Sequence, residues 1–379
     1  MRIALLDFVL DPRCPGSSGL SDIVWGMATH LAQEGHEAHV IGPYPAPPSI
    51  PPGITVHSFS LPPLGYRNIV GHCLIVLKLR LIVQRLHGLA AIHAPEYLST
   101  GVIAPSTRVP VTLTTPGNIY ERIAHGNPYD WSTTLVYKAA ARSSARWCRL
   151  IHAISTDQAR WWRAIGASEA RMSTFPLGVN FDLFHRRPDA RAVLGLPGTD
   201  PVVLYVGRLS REKNIRLLLD AMARLAVQKR NIRLHLVGTG PDRASLERMA
   251  RDRSIADLVQ FEGPVPLDLV PYWYSACNVC VLPSTSEPLG RVMLEAMACG
   301  TVFVGAAVGG IVDHVRHGIN GYLFAPGDTD QLSEILDRSL QDDEAANRIR
   351  TEAARYAREN FDWRTVVQRY RAALETAPR

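Results

Sequence analysis

Two doubly wound α/β domains are the fold class that this sequence predicts, and three observations carry the prediction. The chain has 379 residues, too many for one compact core and enough for two or three domains. Strand-like apolar runs alternate with helix-period segments through its first half, and a second such series begins after Arg186–Arg187–Pro188. Its composition is 46% hydrophobic and 20% charged, which excludes a largely disordered or fibrous chain.

Residues 2–10 (RIALLDFVL) read as a buried strand, with DPRCPGSSG as the loop behind it. Leu20, Ile23, Val24, Met27 and Leu31 share one face of an amphipathic helix that stops near Gly35. EAHVIG is the next strand, and the Pro-rich stretch 43–52 is a loop. Helical pattern returns over 69–87, then strands at 90–93 and 109–113 and helices at 133–148 and 156–165. In the second series strands are expected at 202–206, 232–237, 258–261, 278–282 and 301–305. Helices are expected there at 215–227, 242–251 and 292–298, with a mostly helical remainder after Thr329. Such alternation implies parallel sheets with right-handed crossovers. Two domains with a cleft between them, divided near 180–200, follow from it. Their ligands belong beyond the carboxyl ends of the strands.

Forty-one Lys and Arg against thirty-five Asp and Glu give a net charge of +6. This permits attraction to anions, but without an aromatic-basic platform nucleic acid is not an expected partner. Cys14, Cys73, Cys148, Cys277, Cys280 and Cys299 are scattered, so no disulfide framework is implied and a reducing compartment fits. The N-terminus places Asp7 inside its apolar run and shows no small-residue cleavage site, so it does not read as a signal peptide. The most apolar stretch, 74–83, is too short to span a bilayer and is interrupted by Lys78 and Arg80. A cytoplasmic protein is expected, with any membrane contact peripheral and at the inner face.

A nicotinamide-type fingerprint is absent. Gly16–Ser17–Ser18–Gly19 lacks the spacing, and Gly238–Thr239–Gly240–Pro241 has Arg243 where a third glycine would stand. Both remain strand-to-helix turns whose N–H groups could face an anion, or tight turns and nothing more. The strongest signal is PSTSEPLGRVMLEAMACGTVFVGAAVGG, residues 283–310. Glu287 lies in a loop and Glu295 in the second turn of the helix that follows. Carboxylates flanking a helix N-terminus suit a sugar-and-phosphate ligand, the helix end holding phosphate and the acids accepting from hydroxyls. A glycosidase pair and ordinary surface charge are the alternative readings. In VGRLSREKN (206–214), Arg208 and Lys213 follow a strand beside Gly207. Fixed cations there would stabilise a departing diphosphate, where the plainer reading is a solvated ion pair.

These segments resemble the retaining glycosyltransferases of the GT-B fold, in particular family four. Glu287 and Glu295 match that family's Glu-x7-Glu, and Arg208 and Lys213 match its phosphate loop. GLSDIVWGMATHLAQEGHEAHVIG, STFPLGVNFDLF, LHLVGTGP, FEGPV and HGINGYLF also fall in the family's order, so the resemblance covers most of the chain. It implies two Rossmann-like domains facing each other across a cleft: an acceptor-binding domain over 1–185 and a nucleotide-sugar domain over 186–360. A helix at 361–379 would cross back to the first.

The resemblance also implies roles. Arg208, Lys213 and Glu287 would be catalytic. Glu295 would bind ribose, Leu289 and Gly290 with Glu287 would hold sugar and phosphate, and the backbone at 261–263, with Gly263, would read the base. Gly207 belongs to the phosphate loop, and Gly19, with Gly16 as the weaker candidate, would cap the diphosphate. Where the family often has an acceptor-side histidine, this chain has Thr114, which can hydrogen-bond a sugar but cannot act as a base at neutral pH. His93 and His125 on neighbouring loops are the candidate substitutes.

No cofactor or metal is expected. Asp328–Thr329–Asp330 precedes a helical run and reads as a cap, and Cys277–Asn278–Val279–Cys280 has no second pair. The expected partners are a nucleotide-sugar donor and a hydroxyl acceptor. Lys138, Arg142, Arg146 and Arg149 recur at helical spacing, and over 138–171 seven basic residues face only Asp157 and Glu169. A solvated face is the first reading of this stripe, and peripheral contact with an anionic membrane or anionic acceptor is the second. A non-catalytic sugar-nucleotide-binding or scaffolding protein is the rival to the enzyme reading, and it rests on Thr114 alone.

Overall fold

Strands buried on both faces of a parallel sheet need near-continuous apolar runs, and such runs place this chain in two separate sheets. The computed structural model describes residues 1–7, 19–43, 49–59, 69–115, 131–196, 198–228, 231–341 and 343–378. Two units divide the chain, Met1–Gly178 with Trp363–Arg379, and Val179–Asp362.

The first unit holds β1 (Arg2–Leu6), β2 (Glu37–Gly42), β3 (Ile54–Ser58), β4 (Ala91–Ala94), β5 (Val111–Thr115), β6 (Leu150–Ala153) and β7 (Met172–Thr174). They form one parallel sheet in the order β3-β2-β1-β4-β5-β6-β7. Between them run α1 (Gly19–Gln33), α2 (Ile69–Arg85), α3 (Tyr97–Ile103), α4 (Trp131–Trp147) and α5 (Thr156–Ala164). β1 is described to Leu6, residues 8–10 of the expected strand lie outside the described residues, and Asp7 is fully buried with its N–H on the Ile41 carbonyl. β3, β6 and β7 are additions to the expected set. ITVHS, LIHA and MST are short and partly polar, so ladder pairing rather than pattern makes them strands. α3 is a further addition, since Ser99, Thr100 and Gly101 are weak helix formers. Glu96 starts it by accepting from the Leu98 and Ser99 N–H groups at 2.6 and 2.8 Å.

The second unit holds β8 (Val202–Val206), β9 (Arg233–Val237), β10 (Val259–Gly263), β11 (Val279–Leu282), β12 (Val302–Ala306) and β13 (Tyr322–Phe324), ordered β10-β9-β8-β11-β12-β13 and all parallel. Its helices are α6 (Ala190–Val193), α7 (Ile215–Gln228), α8 (Arg243–Asp252), α9 (Val270–Ala276), α10 (Arg291–Ala298), α11 (Ile311–His314), α12 (Thr329–Gln341) and α13 (Asp343–Phe361). The unit starts at Val179, ahead of the expected 186. There Val179 pairs with Asp362 in an isolated bridge and donates its N–H to the Phe361 carbonyl at 2.7 Å.

The last helix, α14 (Trp363–Thr376), packs within the first unit. Trp363 stacks on His30 of α1 with ring centroids 6.3 Å apart, and Arg371 pairs with Glu34 at 2.7 Å. The Tyr370 hydroxyl is hydrogen-bonded to Thr112 of β5.

Candidate active site

In each sheet the strand order reverses at one place, between β1 and β4 and between β8 and β11. Loops leaving the carboxyl ends of such a pair diverge and open a crevice for ligand. In the second unit these two loops are 207–214 and 283–290, and they carry Arg208, Lys213 and Glu287.

The turn after β8 is shaped by its own strand. The Tyr205 hydroxyl donates to the Arg208 carbonyl at 2.7 Å, and the Gly207 N–H donates to Val237 at 2.9 Å. The Arg208 side chain is exposed, while Leu209 beside it is fully buried and anchors the loop. A short 3-10 turn, Arg211–Lys213, then aims Lys213 at the neighbouring loop. Its ammonium donates to Glu287 Oε2 at 2.5 Å, with the two side chains only 22% and 11% exposed. The Ser284 hydroxyl donates to the same oxygen at 3.2 Å. The loops are also joined through backbone, the Glu212 carbonyl accepting from the Thr285 N–H at 2.8 Å and from its hydroxyl at 3.2 Å. Burial raises the Glu212 carboxyl, but the Ser210 hydroxyl, its own backbone and the charges of Lys213 and Arg208 outweigh it and hold it below the usual range.

The far side of the Glu287 loop rests on residues 309–310. The Gly310 N–H donates to the Glu287 carbonyl at 3.0 Å, and a Cβ on Gly309 (φ +50°) would stand 1.9 Å from that carbonyl oxygen. Only glycine fits so close. Leu289 is buried, and Gly290, with φ +86°, turns the chain into α10. Glu295 lies one turn inside that helix. Tyr274 donates to its Oε2 at 2.9 Å, and Arg291 is 3.6 Å from Oε1. Burial and then the Glu295 charge push the Tyr274 hydroxyl well above its ordinary range, so it is a permanent donor. Gly263 ends β10, and its carbonyl accepts from Gly238 at 2.7 Å. Beside it the Arg243 guanidinium lies 5.6 Å from the centre of the Phe261 ring.

Lys213 and Glu287 are thus in contact, with Arg208 on the same loop as Lys213. Ser284 supports Glu287, Tyr205 the Arg208 turn and Tyr274 the Glu295 carboxylate, and sequence reasoning missed all three. A hydroxyl three residues before Glu287 was the one readable clue.

The first unit gives a different outcome. Gly19 is the first residue of α1, while Gly16 and His125 lie outside the described residues. Thr114 and His93 are fully buried on β5 and β4, so His93 stands on a strand and not on the expected loop. Both sit on central strands covered by helices. His152 Nε2 donates to the Phe175 carbonyl at 2.7 Å, so its Nδ1 accepts from the Thr114 hydroxyl at 2.9 Å. His93 Nδ1 bonds to Thr112 at 2.9 Å and meets the edge of the Tyr370 ring at 5.2 Å. Burial drives His152 down to about 4 and His93 to about 3, with a further push on His93 from His152.

These neutral histidines predict acid sensitivity. Below their unfolded value of about 6.5 the unfolded chain takes up protons that the folded chain refuses. Stability should therefore be full above about pH 6.5 and fall as pH drops toward the folded values of about 4 and about 3. Urea midpoints across this range check it. An equally steep decline in a folded His152→Gln variant would remove His152 from the cause.

Asp328 behaves as a cap, its Oδ1 accepting from the Gln331 N–H at 2.9 Å, and Asp330 pairs with Arg224. Cys277 and Cys280 are buried thiols, and burial raises Cys277 to about 12. Among the described residues no group of three or more His, Cys, Asp or Glu is placed to hold a metal ion. No helix among them is long and apolar enough to cross a membrane.

Comparison with known proteins agrees with this geometry. Residues 17–183 match the family model Glycosyltransferase Family 4, and residues 186–356 match Glycosyl transferases group 1. D-inositol 3-phosphate glycosyltransferase of Frankia alni is 35% identical over 245 residues, 60% of this chain and 60% of that protein. The match therefore spans about three fifths of that relative's length. The GDP-mannose-dependent alpha-(1-6)-phosphatidylinositol monomannoside mannosyltransferase of Mycolicibacterium smegmatis is 29% identical, covering 79% of this chain and 82% of its own. Among solved structures, sucrose-phosphate synthase from Thermosynechococcus elongatus aligns with a TM-score of 0.83 at 26% identity, over 99% of this chain and 100% of that one. With two switch-point sheets, Glu287 and Glu295 at family spacing and both family models matched in order, the chain belongs to the GT-B glycosyltransferases of family four.

Proposed function

We propose that the protein transfers a sugar from a nucleoside diphosphate sugar to a hydroxyl acceptor, with retention of anomeric configuration and without metal. The observation that carries this reading is the Lys213–Glu287 contact joining the two switch-point loops at 2.5 Å, with Arg208 beside it. As the bond from the anomeric carbon to the phosphate oxygen breaks, that oxygen keeps the electron pair and gains negative charge. Lys213 and Arg208 supply fixed positive charge where it develops. The acceptor oxygen bonds to the same face of the anomeric carbon, and its proton passes to the departing phosphate oxygen. Glu287 holds Lys213 in place and accepts from donor-sugar hydroxyls. Glu295, oriented by Tyr274, accepts from ribose. The backbone of Gly207, Leu289 and Gly290 takes phosphate and sugar, and that of Gly263 the base.

The acceptor is assigned only as a hydroxyl compound, because the relatives' names differ in it: an inositol phosphate in one, a phosphatidylinositol mannoside in another. Thermal melting in EDTA with UDP-, GDP- and ADP-sugars tests the donor. One nucleotide series should raise the melting temperature, by roughly 2.7 kcal/mol of stability at a hundred times Kd. Absence of a shift with all three overturns the donor reading. Donor cleavage by the purified protein separates the enzyme from the non-catalytic rival, and NMR of the product anomer reports retention.

A further inference from the structure

Helices α2, α3 and α4 form one layer on the first sheet. Leu79, Tyr97 and Ala141, one from each, share a buried cluster, and His72 of α2 bonds Tyr137 of α4 at 3.0 Å. The outer face of this layer is apolar at its centre. Leu74, Leu77 and Leu81 of α2, Val102 of α3, and Leu135 and Trp147 of α4 are all between 40% and 58% exposed. The three leucines are spaced at i, i+3 and i+7, so they stand in one row along the helix. Such an exposed row is not explained by the core, which α2 already serves with Ile75, Val76, Leu79 and Val83.

The segments that build this layer are basic. Across 69–115 and 131–156 stand Lys78, Arg80, Arg85, Arg108, Lys138, Arg142, Arg146 and Arg149, and the single acid is Glu96; Arg149 lies past α4 and donates to the Ala377 carbonyl at 3.3 Å. That surplus of seven exceeds the +6 of the whole chain, so the rest is slightly acidic and the positive charge is concentrated here. Glu96 caps α3 with its carboxylate. Arg85, Arg142 and Arg146 are exposed and Arg80 is half-buried, and the Arg146 guanidinium lies over the Trp147 ring at 5.5 Å.

We propose that the α2–α3–α4 face docks on an anionic lipid bilayer, with the leucine row and Trp147 entering the headgroup region and the arginines on lipid phosphates. This is an interfacial mode of contact, in which apolar insertion and electrostatic attraction act together. A second copy of the chain fits worse, because a symmetric contact would press together two basic faces whose one acid, Glu96, is engaged in capping α3. Duplex nucleic acid fits worse as well, since its phosphates would meet a row of leucines.

The proposal goes beyond glycosyl transfer and does not depend on it. Sedimentation of the full chain with vesicles tests it, using phosphatidylcholine alone or mixed with phosphatidylglycerol. The protein should pellet with the anionic vesicles only, and binding should fade between about 0.05 M and about 0.5 M NaCl. Changing Arg80, Arg85, Arg142 and Arg146 to glutamine should weaken binding about tenfold or more. Leu77→Ser with Leu81→Ser should weaken it at least about tenfold with every charge intact. All the altered positions but the half-buried Arg80 are exposed, and circular dichroism melts confirm that both variants fold. Wild-type protein left in the supernatant at low salt overturns the proposal, as does equal binding to neutral vesicles or full binding by the leucine variant. A dimer that the leucine variant splits, with no vesicle binding, also overturns it and assigns the face to self-association. Donor melting shifts should be the same in all variants, so failure here leaves the donor site untouched.

Discussion

Lys213→Ala is expected to lower turnover about a hundredfold or more in a protein that still folds. The lysine sits on a loop, and removing its side chain opens no cavity in either sheet. What it removes is the cation nearest the Glu287 carboxylate, 2.5 Å away. Two effects then add. The departing phosphate loses a stabilising charge in the transition state, which lowers kcat. In addition Glu287, largely shielded from water and left with the Ser284 hydroxyl, would repel a diphosphate brought near it, which raises the donor KM. Lys213→Arg keeps the charge but not the point geometry and should recover only part of the rate. Steady-state kinetics on protein with a wild-type melting profile check this, and wild-type kcat in folded Lys213→Ala would remove Lys213 from the mechanism.

The second sheet was legible because its strands are uniform. VVLYV reads as a buried parallel strand from sequence, and the observed β8 has the expected bounds. β7 and β13, three residues each, carry too little pattern to be seen alone and exist through their neighbours' hydrogen bonds. The positions of the residues proposed for the donor side were legible for a related reason. Arg208, Lys213 and Glu287 lie within loops and turns and Glu295 in the helix that follows directly, all fixed by local chain direction, so short spacing locates them. The burial of Thr114 and His93 was not legible, because sequence gives a strand's end but not the depth of its cover. Tyr370, 258 residues after Thr112 in sequence, covers Thr112 and His93, while His152 holds Thr114. Tyr274 reaches Glu295 across 21 residues, a contact that no local period encodes.

Gly309→Ala tests whether the site depends on how its loop is carried, not only on which side chains it bears. The new Cβ would lie 1.9 Å from the Glu287 carbonyl oxygen, against an ordinary contact near 3.4 Å. Relief requires a shift of about 1.5 Å between backbone segments, because neither atom is the free end of a side chain. The Glu287 loop must take part of that movement, and the Gly310 N–H bond to the same carbonyl would be strained with it. Misplacement of about 1 Å at a reacting centre can cost roughly a hundredfold in rate, so turnover should fall by that order. Stability should fall too, since φ of +50° in a residue with a Cβ costs roughly 1–2 kcal/mol before any overlap. Gly327→Ala is the control. It has φ +86° and nothing within 4 Å of its new Cβ, so it should lower the melting temperature and leave kcat near wild type. Equal kcat in the two variants would show that the Glu287 loop tolerates displacement, and that the 309–310 support does not position the Lys213–Glu287 pair.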